Sequence, residues 1–260
     1  AAVTGSDINA SLDNSTADDV AVKAQDVTTS ESHVGSLSVG IGADGGAGVS
    51  AASDTLLLSR ETAAELSGTD TAKKTVNGRN VAVTAGQQST VVTNADGVAG
   101  AGGVYGAGAV AATAAATKLN GSVSATMKNI TSTNKGLEIS AKHDHKTTLV
   151  SASAAVSAAM VSGAVGAGVG VVNDDFTTDA ELVSSTVAAK KDSSLSDSGS
   201  VKVAADSSTN VTTVVAGVSG SVGAAASTIS VNNVNSQTLA VVDNSKVTAD
   251  QDFTVDAHNK

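Results

Sequence analysis

Apolar and polar residues alternate with a period of two in a short run that recurs along the chain. Alternation of this kind is typical of a β-strand with one buried face, because successive side chains point to opposite faces. The five runs are "VAVKA" at Val20, "VAVTA" at Val81, "LEISA" at Leu137, "VKVAA" at Val201 and "FTVDA" at Phe253. Their spacings of 61, 56, 64 and 52 residues indicate an internal repeat of about 58 residues.

A second pattern gives the same period. It is an alanine followed two residues later by a larger apolar residue, and its spacings are 54, 61, 55 and 60 residues. The copies are Ala10/Leu12, Ala64/Leu66, Ala125/Met127, Ala180/Leu182 and Ala240/Val242. Between the two patterns lies a long uncharged tract of Gly, Ala, Ser and Val, such as residues 97–117 and 149–172. The chain therefore contains about four and a half repeats.

Local composition favours strands over helices. Val, Thr and Ile are strand formers, and the polar clusters "NADG" (94–97) and "DSGS" (197–200) are predicted to be turns. Only "ATAAATKL" (112–119) has helical character, because of its alanine content. Its counterpart one repeat later, "AGVGVVND", is rich in Gly and Val, so we predict a strand there as well.

Strands combined with this period predict an all-β chain folded as a right-handed parallel β-helix, or β-solenoid. A β-propeller would bring a shorter period and a Trp-Asp signature, and neither occurs. We expect residues 1–260 to form one continuous solenoid domain that is part of a longer chain or fibre. If each repeat forms three coils of roughly 19 residues, the solenoid is a rod on the order of 60 Å long.

Composition predicts a thin interior. The sequence has one Tyr, two Phe and no Trp, although 41% of its residues are hydrophobic, and it contains 26 Gly. Small residues fill a narrow space between closely approaching backbones, whereas wide cores rely on aromatic side chains. Proline is absent, which suits an uninterrupted hydrogen-bonded ladder.

The acidic composition limits the classes of partner that the chain could bind. The formal net charge is −10, without a basic patch or stacking aromatics, so nucleic-acid binding is not expected. The uncharged tracts are long enough to span a bilayer, but they are dominated by Gly, Ala, Ser and Thr, whereas a spanning helix relies on Leu, Ile and Phe, so we do not expect membrane insertion. The sequence has no cysteine, and "AAVTGSDINA" has no secretion signal, as in a mature or internal segment.

Two motifs have a chemical interpretation. "GIGADG" (Gly40, Gly42, Gly45) matches the dinucleotide-binding fingerprint, but no helix is predicted after it, and the other repeats lack the spacing. "KHDHK" (142–146) is the only histidine cluster, in which His143 and His145 would point the same way and could bind a metal with Asp144. Its counterparts "GQQS" and "DSST" are polar, so a solvated turn is the preferred interpretation.

The acidic segments of the sequence are candidate cation sites. "VNDDF" (172–176) and "TADD" (16–19) are predicted acidic turns that could attract Ca²⁺, the one cofactor considered, but the nonapeptide pattern of calcium-binding rolls is absent. No Gly-x-Ser-x-Gly elbow marks a catalytic serine. We therefore predict no catalytic residues, no cofactor-binding residues and no enzymatic activity.

The repeat unit resembles those of very large bacterial surface proteins secreted by type V pathways. These are filamentous-haemagglutinin-like adhesins and autotransporter passengers, including leukotoxin-like repeat proteins. The resemblance is carried by "SGSVKVAADSSTNVTTVVAGVSGSVGAAASTISVNNVNSQTLAVVDNSKVTADQDFTVDA" (198–257). It implies a β-solenoid exported to the cell surface as a stalk, fibre or adhesive rod, and it implies no catalytic residues.

The leading hypothesis is a structural and adhesive segment of an extracellular fibre. Both ends of a solenoid present open strand edges, so end-to-end self-association is expected, and the receptor on a host or neighbouring cell is not identified. One alternative is a membrane-active, leukotoxin-like toxin segment, suggested by the Gly/Ala tracts. Another is the head of a trimeric autotransporter, although its shorter repeats do not occur here.

Overall fold

The computed structural model describes residues 1–4, 6, 8–9, 19–69, 71–191 and 199–260. Regular structure within these ranges is β-strand throughout, which confirms the all-β prediction, and "ATAAATKL" is a strand. The strands are β1 (Ala2–Thr4), β2 (Ile8–Asn9), β3 (Val20–Gly42), β4 (Gly45–Ser67), β5 (Lys74–Asn77), β6 (Asn80–Gly103), β7 (Gly106–Lys128), β8 (Ile130–Asn134), β9 (Gly136–Ala158), β10 (Val161–Val183), β11 (Thr186–Ala189), β12 (Val201–Gly220), β13 (Gly223–Asp243), β14 (Lys246–Ala249) and β15 (Phe253–Asn259).

Equivalent strands of successive repeats stack into three parallel sheets, as predicted for a β-solenoid. Sheet A has the order β1-β4-β7-β10-β13, sheet B the order β2-β5-β8-β11-β14, and sheet C the order β3-β6-β9-β12-β15. The alternating runs found in the sequence occupy one register in sheet C, where Val20, Val81, Leu137, Val201 and Phe253 pair in series. The repeat is therefore the structural unit of the stack.

The prediction of three coils per repeat was wrong, because each repeat forms one coil. The chain runs along a long strand of sheet C, reverses at a tight arc, returns along sheet A, and crosses a short strand of sheet B. A strand of 23 residues extends about 75 Å, whereas five stacked strands extend only about 20 Å. The molecule is a flat slab instead of a 60 Å rod.

Three coils per repeat were predicted because polar clusters inside the long strands were interpreted as turns. "NADG" lies inside β6 and "VNDDF" inside β10, and the alternation of buried and exposed side chains continues through both. Ala95 and Asp174 are fully buried. Of "DSGS", only Gly199 and Ser200 lie within the described residues, before β12. Polar residues occupy both inward and outward positions within these strands, so polarity did not mark the ends of strands.

The second sequence pattern is confirmed except in its first copy. Ala64, Ala125, Ala180 and Ala240 pair in series in sheet A. Ala10 and Leu12 lie outside the described residues, and Val3 of β1 pairs with Leu66 in their place. An alanine followed two residues later by an apolar residue recurs by chance in a chain this rich in alanine, so the pattern alone did not identify Val3 as the counterpart of Leu66.

The slab tapers from a broad end to a narrow end. At the broad end, sheet B separates the two long sheets, and the space is filled by the largest aliphatic cluster, which includes Leu66, Met127, Ile130, Ile139 and Leu182. At the narrow end, the buried cluster is alanine alone: Ala99, Ala101, Ala109, Ala111, Ala155 and Ala164. The predicted thin interior occurs at this end.

Glycine permits the close approach at the narrow end. A Cβ atom on Gly40 would lie 1.8 Å from the carbonyl oxygen of Ala47, and one on Gly48 would lie 2.1 Å from that of Gly100. These distances are far below van der Waals contact. The uncharged tracts are thus the segments in which the backbones of sheets A and C face each other.

At three corners from sheet A into sheet B, an equivalent residue adopts the left-handed backbone conformation. Asn129, Ser184 and Asn244 have φ values of 55°, 48° and 45° and occupy equivalent positions in three coils. Asparagine adopts this region more readily than most other non-glycine residues. The Asp-Asn-Ser sequence at 243–245 is such a corner.

Candidate functional site

The two histidines of "KHDHK" lie in strand β9 and not in a turn, so the turn prediction was wrong. His143 and His145 point into the space between sheets A and C, and each has about 1% of its surface exposed. The prediction that they share one side is confirmed. Asp144 points to the opposite, solvent-exposed side of the strand, so the predicted trio is divided between two faces.

His145 is at the centre of a buried hydrogen-bonded chain. Its Nδ1 lies 2.5 Å from Ser89 Oγ on β6, and its Nε2 lies 2.5 Å from Thr147 Oγ1. Thr147 donates a hydrogen bond of 3.3 Å to Asp174 Oδ2 on the facing strand β10, and that oxygen is 3.5 Å from His145 Nε2. Hydrogen bonding offsets part of the desolvation of these polar groups, while Asp174 Oδ1 has no partner among the described residues.

Phe176 packs the two imidazole rings. Its ring centroid is 4.2 Å from that of His143, in a stacked arrangement, and 5.1 Å from that of His145. The space for the ring comes from Gly121, which pairs with Phe176 on the neighbouring strand, since a Cβ there would lie 2.5 Å from the ring. Sheet C thus supplies both histidines, and sheet A supplies the carboxylate and the aromatic ring.

Burial governs the protonation of His143. Desolvation, followed by the neighbouring His145 and Arg60, lowers its pKa from 6.5 to about 4. Ser207 Oγ lies 3.5 Å from its Nδ1, and its Nε2 has no hydrogen-bond partner among the described residues. At neutral pH, His143 is therefore an uncharged imidazole within the core.

The described residues contain no group of three or more His, Cys, Asp or Glu side chains placed to hold a metal ion. Asp174 is fully buried, next to His145 and Thr147, whereas Asp175 points outward from the same strand. Of "TADD", only Asp19 lies within the described residues, where its carboxylate accepts hydrogen bonds from the backbone and side chain of Asn80. These carboxylates serve local hydrogen bonds within the solenoid.

Ser89, His145 and Asp174 are the residue types of a catalytic triad, but almost none of their surface is accessible to solvent. Ser89 is 3% exposed, and the other two are 1% and 0% exposed. A nucleophile must meet its substrate, and in this fold the whole chain of hydrogen bonds lies between two sheets. The arrangement is suited to holding the sheets together.

The "GIGADG" segment forms an arc between two strands. Gly40 and Gly42 end β3 and Gly45 begins β4, so a strand follows the motif where nucleotide binding requires a helix. The three glycines allow the two sheets to meet at the narrow end. Their role here is close packing of the backbone.

The two ends of the stack are open. At one end, β15 covers β12 only from Val201 to Ser207, and β13 is the last strand of sheet A. A cavity opens there between the sheets, lined by Thr209, Val211, Val234 and Ser236 with the final residues of the chain. At the other end, β3 is the last strand of sheet C. Both ends present strand edges within the described part of the chain.

The alternation of the sequence could have placed Asp174 and Phe176 on inward positions of one strand. It could not have shown that they face His143 and His145, because that depends on where the arc reverses the chain. The reversal lies between Ala158 and Val161, within a run of small residues. No local turn signal distinguishes it from the rest of that run.

No helix long and apolar enough to cross a membrane occurs among the described residues. The chain matches no known protein family, no curated protein and no solved structure.

Proposed function

We propose that this chain is a non-enzymatic structural segment of a bacterial surface or extracellular fibre, which extends by end-to-end stacking of its solenoid. The observation that carries the proposal is the pair of open ends. Strand β3, with 23 residues, and strand β13, with 21 residues, are the terminal long strands of their sheets. Open edges of this length are templates for pairing with another strand.

The side chains at both ends suit a further coil. Inward positions of β12 and β13 near the cavity carry Val211, Thr213 and Val234, and inward positions of β3 carry Thr28 and Ser30. These side chains are uncharged, and the charged inward residue of β3, Asp26, is already paired with Arg60, so stacking another coil would bury no unpaired charge there. Solenoids gain stability from every neighbouring interface.

The adhesive role and the location outside the cell are supported by the resemblance to type V-secreted adhesins. A slab whose histidine cluster is enclosed and whose outer faces are regular sheets fits a stalk or fibre better than a catalytic domain. The receptor would be contacted by the faces or by a neighbouring part of the assembled fibre.

Small-angle X-ray scattering over a concentration series tests the stacking. We expect particles that grow in one dimension as the concentration rises, since an end-to-end contact that does not close produces an open filament. In the variant Ser230→Lys, an inward lysine at the open edge of β13 reaches water in the single chain but would be buried in a stack. Growth should stop in this variant.

Gln237→Lys is the matched control, because it adds the same charge to the same strand on its outward side. It should grow as the unchanged chain does. Scattering that does not change over the whole series would contradict the end-to-end assembly. Equal growth of Ser230→Lys and the unchanged chain would show that the open edge of β13 is not the contact.

A further inference from the structure

The outer face of sheet A is divided into a charged half and an uncharged half. Near the broad end, outward positions include Glu61, Lys118, Asp175 and Glu181. Toward the narrow end, outward positions of β4, β7, β10 and β13 carry only Gly, Ala, Val, Ile, Ser and Thr. We call this uncharged part the A-face. It comprises the outward residues of 45–55, 106–116, 161–171 and 223–231.

The A-face has ridges and grooves that run across the strands. Val49, Val110 and Val165 pair in series and form an exposed valine column. Two residues further along each strand, Ala51, Ala112 and Ala167 form an alanine column. On the other side of the valines lies a column of Ala47, Gly108, Gly163 and Gly223. A column of larger side chains thus lies between two columns of small ones.

The outer face of sheet C is less suited to close contact. Leu37, Val98 and Val218 are exposed there, but the next column toward the broad end contains the exposed Asp96. Covering that carboxylate without a partner would be unfavourable. Sheet A has the continuous uncharged surface.

We propose that the A-face docks against the A-face of a second copy of this chain. A two-fold axis parallel to the stacking direction, placed between the valine and alanine columns, sets each valine column against the partner's alanine column. Val110 of one copy then faces Ala112 of the other. Interdigitation of larger and smaller side chains is the packing of a dry interface between sheets, and a two-fold contact closes as a dimer.

The area is sufficient for a stable dimer. Four strands and about 11 residues of each give about 700 Å² per copy, or about 1,400 Å² in total, within the range of specific interfaces. The charges support the same geometry, because the chain has a net charge of −10 and copies repel each other through most other surfaces. The A-face brings no charge into contact.

This pairing does not depend on end-to-end stacking, but the two are compatible. The two-fold axis keeps the stacking directions of both copies parallel, so a lateral pair can extend by adding coils at the same end. The two contacts change different dimensions of the particle: lateral pairing changes its cross-section, and stacking changes its length.

Sedimentation equilibrium measures the pairing at concentrations below those at which particles lengthen. We expect a dimer of twice the 25.0 kDa chain mass. Val110→Lys buries a charge in the centre of the A-face and should weaken dimerisation by at least about 100-fold. Ser122→Lys places the same charge on the outward side of the same strand near the broad end and should dimerise as the unchanged chain does.

Disulfide trapping tests the register independently of folding defects. The chain has no cysteine, so Val110→Cys and Ala112→Cys each introduce a single thiol. An equimolar mixture of the two variants should cross-link on mild oxidation. Each variant alone should cross-link much less, because identical residues would be offset by roughly 7 Å along the strand, beyond the reach of a disulfide.

Three results would overturn the proposal: a monomer at all concentrations, a dimer that is insensitive to Val110→Lys, or equal cross-linking of each variant alone and the mixture. Neutral phosphatidylcholine vesicles provide the remaining comparison. If the monomer binds such vesicles through the A-face and does not dimerise, the occupant is a lipid surface and the pairing of copies is wrong. Lengthwise growth that persists in Val110→Lys leaves end-to-end stacking intact.

Discussion

At the scale of single residues, the interior of the slab is stabilised by different polar pairs in successive coils. Arg60 pairs with Asp26 in the first complete coil, and Thr93 shares a hydrogen bond of 2.7 Å with Thr117 in the next. The histidine chain follows in the third. Each pair spans the gap between sheets A and C and therefore fixes the lateral position of one sheet on the other, although Arg60 Nη1 and Asp174 Oδ1 have no hydrogen-bond partner among the described residues.

The lowered pKa of His143 predicts acid sensitivity. The unfolded chain binds this proton near pH 6.5 and the folded chain only near pH 4. The unfolded state therefore binds more protons between these values, and stability decreases as the pH is lowered through this window. Going from pH 7 to pH 5, we expect a loss of about 2 kcal/mol from this group.

Urea unfolding at pH 7 and pH 5 measures the effect, with His143→Gln as the comparison. Glutamine already occupies the equivalent inward position in the preceding coil, as Gln87. The variant should lose less stability on acidification than the unchanged chain, by about that 2 kcal/mol. Identical losses in both proteins would exclude His143 as the titrating group.

The left-handed corner at Ser184 predicts a stabilising substitution. Its equivalents Asn129 and Asn244 are asparagines, and the Asn244 side chain already donates a hydrogen bond to Ser184 Oγ. Ser184→Asn should raise the free energy of unfolding by about 0.5 kcal/mol, because asparagine tolerates positive φ better than serine. Ser185→Asn, which replaces a buried hydroxyl bonded to the backbone of Ile130, should instead lower it.

The residue pattern predicted part of the histidine cluster and not the rest. Period-two alternation placed His143 and His145 on one side of a strand, since that depends only on neighbours in sequence. Their contacts with Asp174 and Phe176 depend on the register between two sheets. That register is set by the arc at 159–160, and a one-residue change there would turn every side chain of β10 to the other face.

At the scale of elements, the sequence predicted where the long strands lie but not how far they extend. The sequence predicted strands at Val20, Val81, Leu137 and Val201, all of which lie in sheet C, but it divided these strands at polar clusters. Within these clusters Ala95 and Asp174 point inward while Asp96 and Asp175 point outward, so the strands continue through them. Composition was a better guide to thickness, because glycine and alanine alone fit where two backbones almost touch.

Close approach of the sheets predicts a difference between two glycines of β10. A Cβ on Gly166 would lie 2.6 Å from the carbonyl oxygen of Val218, whereas one on Gly163 would meet its nearest atom at 3.8 Å. Gly166→Ala should lower the free energy of unfolding by about 1–3 kcal/mol, because the sheets must separate. Gly163→Ala should be neutral or slightly stabilising, as expected for alanine in place of an unstrained glycine.

Chemical denaturation of both variants against the unchanged chain provides the measurement. Far-UV circular dichroism before denaturation establishes that each variant retains its β-structure. Equal destabilisation by the two substitutions would mean that the narrow end accommodates a methyl group everywhere, and that its glycines are not required by the spacing of the sheets.

At the scale of the whole molecule, the largest dimension lies along the strands and not along the stack. Each additional repeat adds about 4.8 Å to the stack and leaves the 75 Å strand direction unchanged. A segment with this geometry contributes wide, regular faces per coil but little length, so a long fibre requires many repeats or the stacking of many chains. The open ends and the A-face provide contacts in two different directions.

Removal of one complete repeat distinguishes a slab with one coil per repeat from a rod of small coils. A variant ending at Lys191 lacks β12 to β15 and about a quarter of the residues. Its largest dimension, measured by small-angle X-ray scattering on dilute samples, should stay near 75 Å, because β9 and β10 still extend the full strand length. A rod built from coils of roughly 19 residues would shorten by about the same quarter.

The variant should also unfold at a lower denaturant concentration, since every coil lost removes one stacking interface. A dimension that falls in proportion to chain length would contradict the one-coil repeat on which the end-to-end contact and the A-face are both built.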